Sequence, residues 1–89
     1  MKKSGNATEL KEQLKQDIAD GKLSIGDATR RMRKIVGMNQ KDYAKNVLGI
    51  SPRILMEIET GNGNPTVDTL RKIGRPFGFD IGFVAARKN

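Results

Sequence analysis

Residues 39–61, NQKDYAKNVLGISPRILMEIETG, hold the side chains of this chain best suited to recognising another molecule. The Arg53 guanidinium can bridge two acceptors such as O6 and N7 of a guanine, and the Glu57 carboxylate can accept from an amine such as cytosine N4. Covalent and acid–base chemistry is poorly served. With no Cys and no His in 89 residues, thiol nucleophiles, disulfides, Cys-based zinc sites and the commonest general base are excluded. The remaining carboxylates and lysines form no nucleophile–base pair and no metal-ligand spacing. Gly61-Asn62-Gly63 superficially suggests a nucleotide loop, but it follows a predicted helix rather than a strand and lacks the further glycine and lysine. These observations predict a non-enzymatic binding protein without cofactor or metal.

Charge narrows the partner. Seventeen Lys and Arg against 10 Asp and Glu give a formal net charge of +7, which attracts a polyanion and ranks nucleic acid ahead of an anionic membrane surface. The charges are spread along the chain, which predicts a folded basic surface rather than a disordered basic arm. The length suits one domain whose core is only just large enough to fold unaided. No apolar run approaches the roughly 20 residues that span a bilayer, and Met1 to Gly5 is too short and polar for a signal peptide. A soluble, cytoplasmic protein with no membrane partner is expected.

Five helices must position these residues. Residues 1–5 are expected to be disordered. Asn6 with Glu9 is a capping signature, and Ala7, Leu10, Leu14 and Ile18 recur on one face of a helix over 7–20 closed by Gly21. Glu9, Lys11, Glu12, Lys15 and Asp17 make its solvated face, and the apolar face packs on the domain or on a second chain. Ser24 with Asp27 starts a second helix over 25–36, with Ala28, Met32 and Ile35 inward and Arg30, Arg31, Arg33 and Lys34 as the densest basic cluster. Asn39 caps a third, with Tyr43, Ala44 and Val47 facing the core and Leu48-Gly49-Ile50 as the turn. Ser51-Pro52 starts a fourth that carries Ile54, Leu55 and Ile58 and stops at Gly61. After the 62–65 loop, Thr66 caps a fifth, with Val67, Leu70 and Ile73 inward and a last turn weakened by Gly74 and Pro76.

The tail changes period. Phe79, Ile81, Phe83 and Ala85 alternate with Asp80, Gly82, Val84 and Ala86, the period of two of a β-strand. A single strand leaves its backbone groups unpaired, so the economical arrangement is antiparallel pairing with a second copy about a two-fold axis. The expected fold class is therefore mainly α, a five-helix bundle plus one C-terminal β-strand pairing across a dimer. It divides into a disordered 1–5, an N-terminal amphipathic helix in 6–23, a domain over 24–78 and a dimerisation strand and tail over 79–89.

Residues 33–77 resemble the lambda-repressor-like helix-turn-helix family, also called Cro/CI or XRE. The resemblance rests on Gln40 after the capping Asn39, Ala44, the Gly49-Ile50-Ser51 turn, Ile58-Glu59-Thr60-Gly61, Asn64-Pro65 and the helix from Leu70 to Phe77. It covers about half of the chain. Glu59 is oddly placed, because a helix C-terminus disfavours negative charge; the resemblance implies that it forms a structural salt bridge with Arg33. It further implies phosphate contacts from Asn39, Gln40 and Lys41 and, across the groove, from Thr60, Asn62 and Asn64. Arg53, Pro52 and Glu57 then fall at base-contacting positions, Pro52 offering only apolar contact, for instance to a thymine methyl. Ile54 and Met56 stand where the family is often polar.

The function implied is a sequence-specific regulator of transcription, a repressor that binds an inverted repeat in double-stranded DNA as a homodimer through Phe79, Ile81, Phe83 and Ala85. A narrower version is an antitoxin that represses its own operon and also binds a toxin protein. A different reading, prompted by Pro52, Ile54 and Met56, is a protein-interaction module on the same fold.

Overall fold

The computed structural model describes residues 6–86; the expected disorder of 1–5 and the final residues 87–89 of the tail lie outside that range. Helices α1 (Ala7–Ala19), α2 (Ile25–Val36), α3 (Gln40–Asp42 continuing as Tyr43–Leu48), α4 (Pro52–Thr60) and α5 (Val67–Gly74) follow in order, and a 3-10 turn, Arg75–Phe77, closes the set. Every helix begins on a side chain that satisfies an otherwise unpaired amide. Asn6, Ser24, Asn39, Ser51 and Thr66 each accept from the backbone N–H three residues on, at 2.8 to 3.1 Å. Pro52 follows its cap at a position that needs no donor. Among the described residues no helix is long and apolar enough to cross a membrane.

Leu14, Met32, Tyr43, Ala44, Leu48, Leu55, Ile58 and Ile73 form the buried core, with Ile18, Leu23, Ile35, Met38, Ile50, Phe77 and Phe79 packed around it. α1 thus packs on its own domain, with Leu14 fully buried. Its charged face is less solvated than the sequence suggests. Asp17 is paired with Arg31 of α2 at 2.6 Å, and Lys11 stands 5.7 Å over the Phe77 ring. The hydrogen bond from Arg31 holds the Asp17 carboxyl below the usual carboxylate range. Ala7 and Val67, expected inward, are exposed, because each opens its helix before the chain has reached the core.

The largest departure is in α3. A regular helix would set Tyr43 and Val47 on one face, four residues apart. Instead the segment Tyr43–Leu48 is π-helical, so bonds span five residues and the face repeats one residue later. Leu48 therefore enters the core at 4% exposed, while Val47 is turned out at 38%. Gly49, at φ 72°, closes the helix with its N–H on the Ala44 carbonyl, a left-handed conformation that glycine takes without steric cost.

α2 crosses α4 at very close range. A Cβ on Gly26 would stand 2.5 Å from the Ile58 carbonyl oxygen, so no other residue fits this crossing without displacement. The tail returns to the core in the same way, since Gly74 leaves room for Phe79, whose N–H donates to the Gly74 carbonyl at 3.0 Å. Beyond Phe79 the described residues hold no strand. An isolated strand has no ladder to join within the single chain, and the expected strand over 79–85 stands or falls with a second chain.

Candidate nucleic-acid interface

The end of α4 is locked to α2 and α3 through one carboxylate. Glu59 is 4% exposed. Arg33 donates to both of its oxygens, Nε to Oε2 at 2.8 Å and Nη2 to Oε1 at 2.9 Å, and its Nη1 reaches the Met38 carbonyl at 3.0 Å. Gln40 Nε2 adds a bond to Oε1 at 3.0 Å. Arg30 donates to the Glu59 carbonyl through Nη2 and to Asp27 at 3.2 Å through Nη1. Two-pronged pairing of this kind offsets the cost of burying the charges, whereas removing one partner strands the other. Burial pushes the Glu59 carboxyl up, but the hydrogen bonds from Arg33 and Gln40 and the nearby positive charge outweigh it and leave it below the usual range. The same bond raises Arg33. Beside them Tyr43 is fully buried, its hydroxyl has no hydrogen-bond partner among the described residues, and burial pushes the phenol up to about 12.

The opposite side of α4 faces out. With Leu55, Ile58 and Glu59 inward, Arg53, Met56 and Thr60 are exposed and Pro52 and Glu57 half-buried. The Arg53 side chain is 82% exposed and its Nε lies 3.5 Å from Glu57 Oε2. Thr60 Oγ1 donates back to the carbonyls of Met56 and Glu57 at 3.0 and 3.1 Å, and Asn62 Nδ2 donates to Thr60 Oγ1 at 3.2 Å. Asn39 is engaged as a cap, with Nδ2 also 3.3 Å from Asp42 Oδ2, while Lys41 and Asn64 are exposed.

Of the residues expected to contact phosphate, Gln40 touches Glu59 and Thr60 adjoins it in sequence. Asn39, Gln40 and Lys41 open α3, and Gln40 ties that helix start to Glu59. Thr60 and Asn62 follow Glu59 directly. Gln40 commits one amide hydrogen to Glu59, which leaves its second for another acceptor. Arg53 and Glu57 sit further back on the same helix. The residues expected to dimerise do not share one environment: Phe79 is half-buried against its own core, Ile81 is 41% exposed and Phe83 fully exposed. Phe79, expected at the dimer face, is half-buried against its own core in the room that Gly74 leaves.

Sequence reasoning missed the close crossing at Gly26, the bond from Arg30 to the Glu59 carbonyl and the pairing of Asp17 with Arg31. A glycine in the first turn of an otherwise ordinary helix, where it costs stability, was the one available signal for a close crossing. Among the described residues no cluster of acidic, His or Cys side chains is arranged to hold a metal. In comparisons with known proteins, a family model described as helix-turn-helix matches residues 30–84, which is more than half of the chain and begins within α2. No curated protein and no solved structure gave a match. A matching family model over that span, on a fold whose α3 and α4 form the motif with Glu59 locked behind them, places the chain in the lambda-repressor-like helix-turn-helix family of DNA-binding regulators.

Proposed function

We propose that the protein is a sequence-specific DNA-binding regulator that represses transcription as a homodimer on an inverted-repeat operator. The observation that carries this reading is the two-sidedness of α4. Its inner side is fixed to α2 and α3 through Glu59, and its outer side presents Arg53 from the first turn, where recognition helices meet base edges. Arg53 reads guanine, with Pro52 and Glu57 beside it, and Asn39, Gln40, Lys41, Thr60, Asn62 and Asn64 hold the flanking phosphates. The net charge of +7 favours the encounter.

One recognition helix of this size reads few bases, and a dyad doubles the site. Support for a dimer comes from the exposed apolar tail, where Ile81, Phe83 and Val84 are 41%, 106% and 90% exposed. Pairing through 79–85 would cover them. Phe83→Glu should then convert a dimer to a monomer in sedimentation without unfolding the domain; a monomeric parent protein would end the dimer reading.

Selection from random duplexes tests the DNA reading. The expected product is an inverted repeat with half-sites about 34 Å apart on one face, bound with steep salt dependence. No enriched motif, with binding only at low salt, would favour instead a protein-interaction module, the reading to which exposed Ile54 and Met56, 39% and 47%, lend weight. An antitoxin role would add a toxin partner to the regulator, and a toxin gene beside this one is its test.

A further inference from the structure

α4 turns one carboxylate outward. Glu59 is buried on Arg33, whereas Glu57 stands beside Arg53 at 3.5 Å in a pair with side chains 41% and 82% exposed. So open a pair adds little to stability, because solvent screens it and two long side chains must be ordered. Glu57 is nevertheless well placed. Its carbonyl accepts from the backbone of Asn62 at 2.9 Å and of Gly63 at 3.1 Å. Gly63 lies so close that a Cβ on it would stand 3.1 Å from the Glu57 Cβ. The loop after α4 thus fixes the stem from which the carboxylate reaches.

A carboxylate can only accept. Against a duplex it is repelled by phosphate and is satisfied in the major groove only by an exocyclic amine, cytosine N4 or adenine N6. Arg53 has the opposite demand, for the acceptors of guanine. When Arg53 leaves the pair to read guanine, Glu57 must find an amine of its own. We infer that Glu57 is a specificity-determining residue that acts by subtraction, holding Arg53 and repelling phosphate on the wrong DNA. It is satisfied only where a guanine for Arg53 lies next to a base pair that carries its amine, cytosine N4 or adenine N6, on the strand facing Glu57. This rests on the proposed base-reading role of α4. Since specificity is a difference of affinities, weakening the wrong complex serves as well as strengthening the right one.

The test compares the parent protein with Glu57→Gln, which keeps the shape and removes the charge. Both are put through selection from random duplexes, and binding is then measured on the selected and on a random duplex at several salt concentrations. Glu57→Gln should bind the random duplex more tightly, lower the ratio of specific to random affinity about tenfold, and lose preference at one base pair. An unchanged ratio and motif would overturn the inference while leaving DNA reading intact. No motif for the parent protein would overturn both. Glu57→Ala, which also deletes the acceptor, should lose the same preference, and its retention would likewise sink the idea.

Discussion

Arg33–Glu59 and Arg53–Glu57 join the same two side-chain types through glutamates two residues apart on α4, the first across to α2 and the second within the helix, yet their surroundings make them different devices. The first is two-pronged, with bonds of 2.8 and 2.9 Å and side chains 16% and 2% exposed; the second is a single 3.5 Å approach at 82% and 41%. In the first, neither partner can return to water without opening the domain, so the pair holds α2 to α4. In the second, each partner is already in water, so a ligand can separate them at little cost. Chemistry alone does not assign a role to an ion pair; its access to solvent does.

Breaking the buried pair gives the largest expected effect. Arg33→Ala leaves Glu59 buried without its main partner and should cost about 3–5 kcal/mol in urea unfolding, a large share of the roughly 5–15 kcal/mol of a typical domain. Gly26→Ala should cost about 1–3 kcal/mol, because the new methyl meets the Ile58 carbonyl and forces α2 off the helix that the pair holds. Acid probes the same lock without mutation. Because the Glu59 carboxyl is held below its ordinary range, its contribution is present above about pH 4.3, the unfolded value, and is lost as pH falls through the lower folded value. Asp17 acts in the same direction, its contribution being lost as pH falls below its own unfolded value of about 3.9, so Glu59→Gln should flatten the acid limb of melting temperature against pH only in part. Gln40→Ala, which removes one bond to Glu59, should cost about 1 kcal/mol. Arg53→Ala should shift stability by less than about 0.5 kcal/mol while weakening binding at one base pair by about 1–3 kcal/mol. A stability loss like that of Arg33→Ala would erase the distinction between the pairs.

Much of the scaffold was legible because it is local. Asn6, Ser24, Asn39, Ser51 and Thr66 announce helix starts by side-chain chemistry, and the helices begin on the next residue in every case. What failed was whatever depends on three-dimensional neighbours. The shift of Leu48 for Val47 in α3 follows from a widened turn that apolar spacing does not encode. Asp17 read as a surface charge because its partner Arg31 lies on another helix. At the interface, the residue types of Arg53 and Glu57 were visible, but that Gln40 is tied to Glu59, and that Phe79 sits on its own core, follows only from packing.

Tyr43 is the sole tyrosine and the chain has no tryptophan, so the near-ultraviolet spectrum of this protein reports chiefly on one fully buried ring. Burial pushes its phenol up to about 12 in the folded state. Added base near the ordinary phenol range, about pH 10, should therefore reveal phenolate chiefly in molecules that have opened, and the protein carries in its centre an optical gauge of its own integrity.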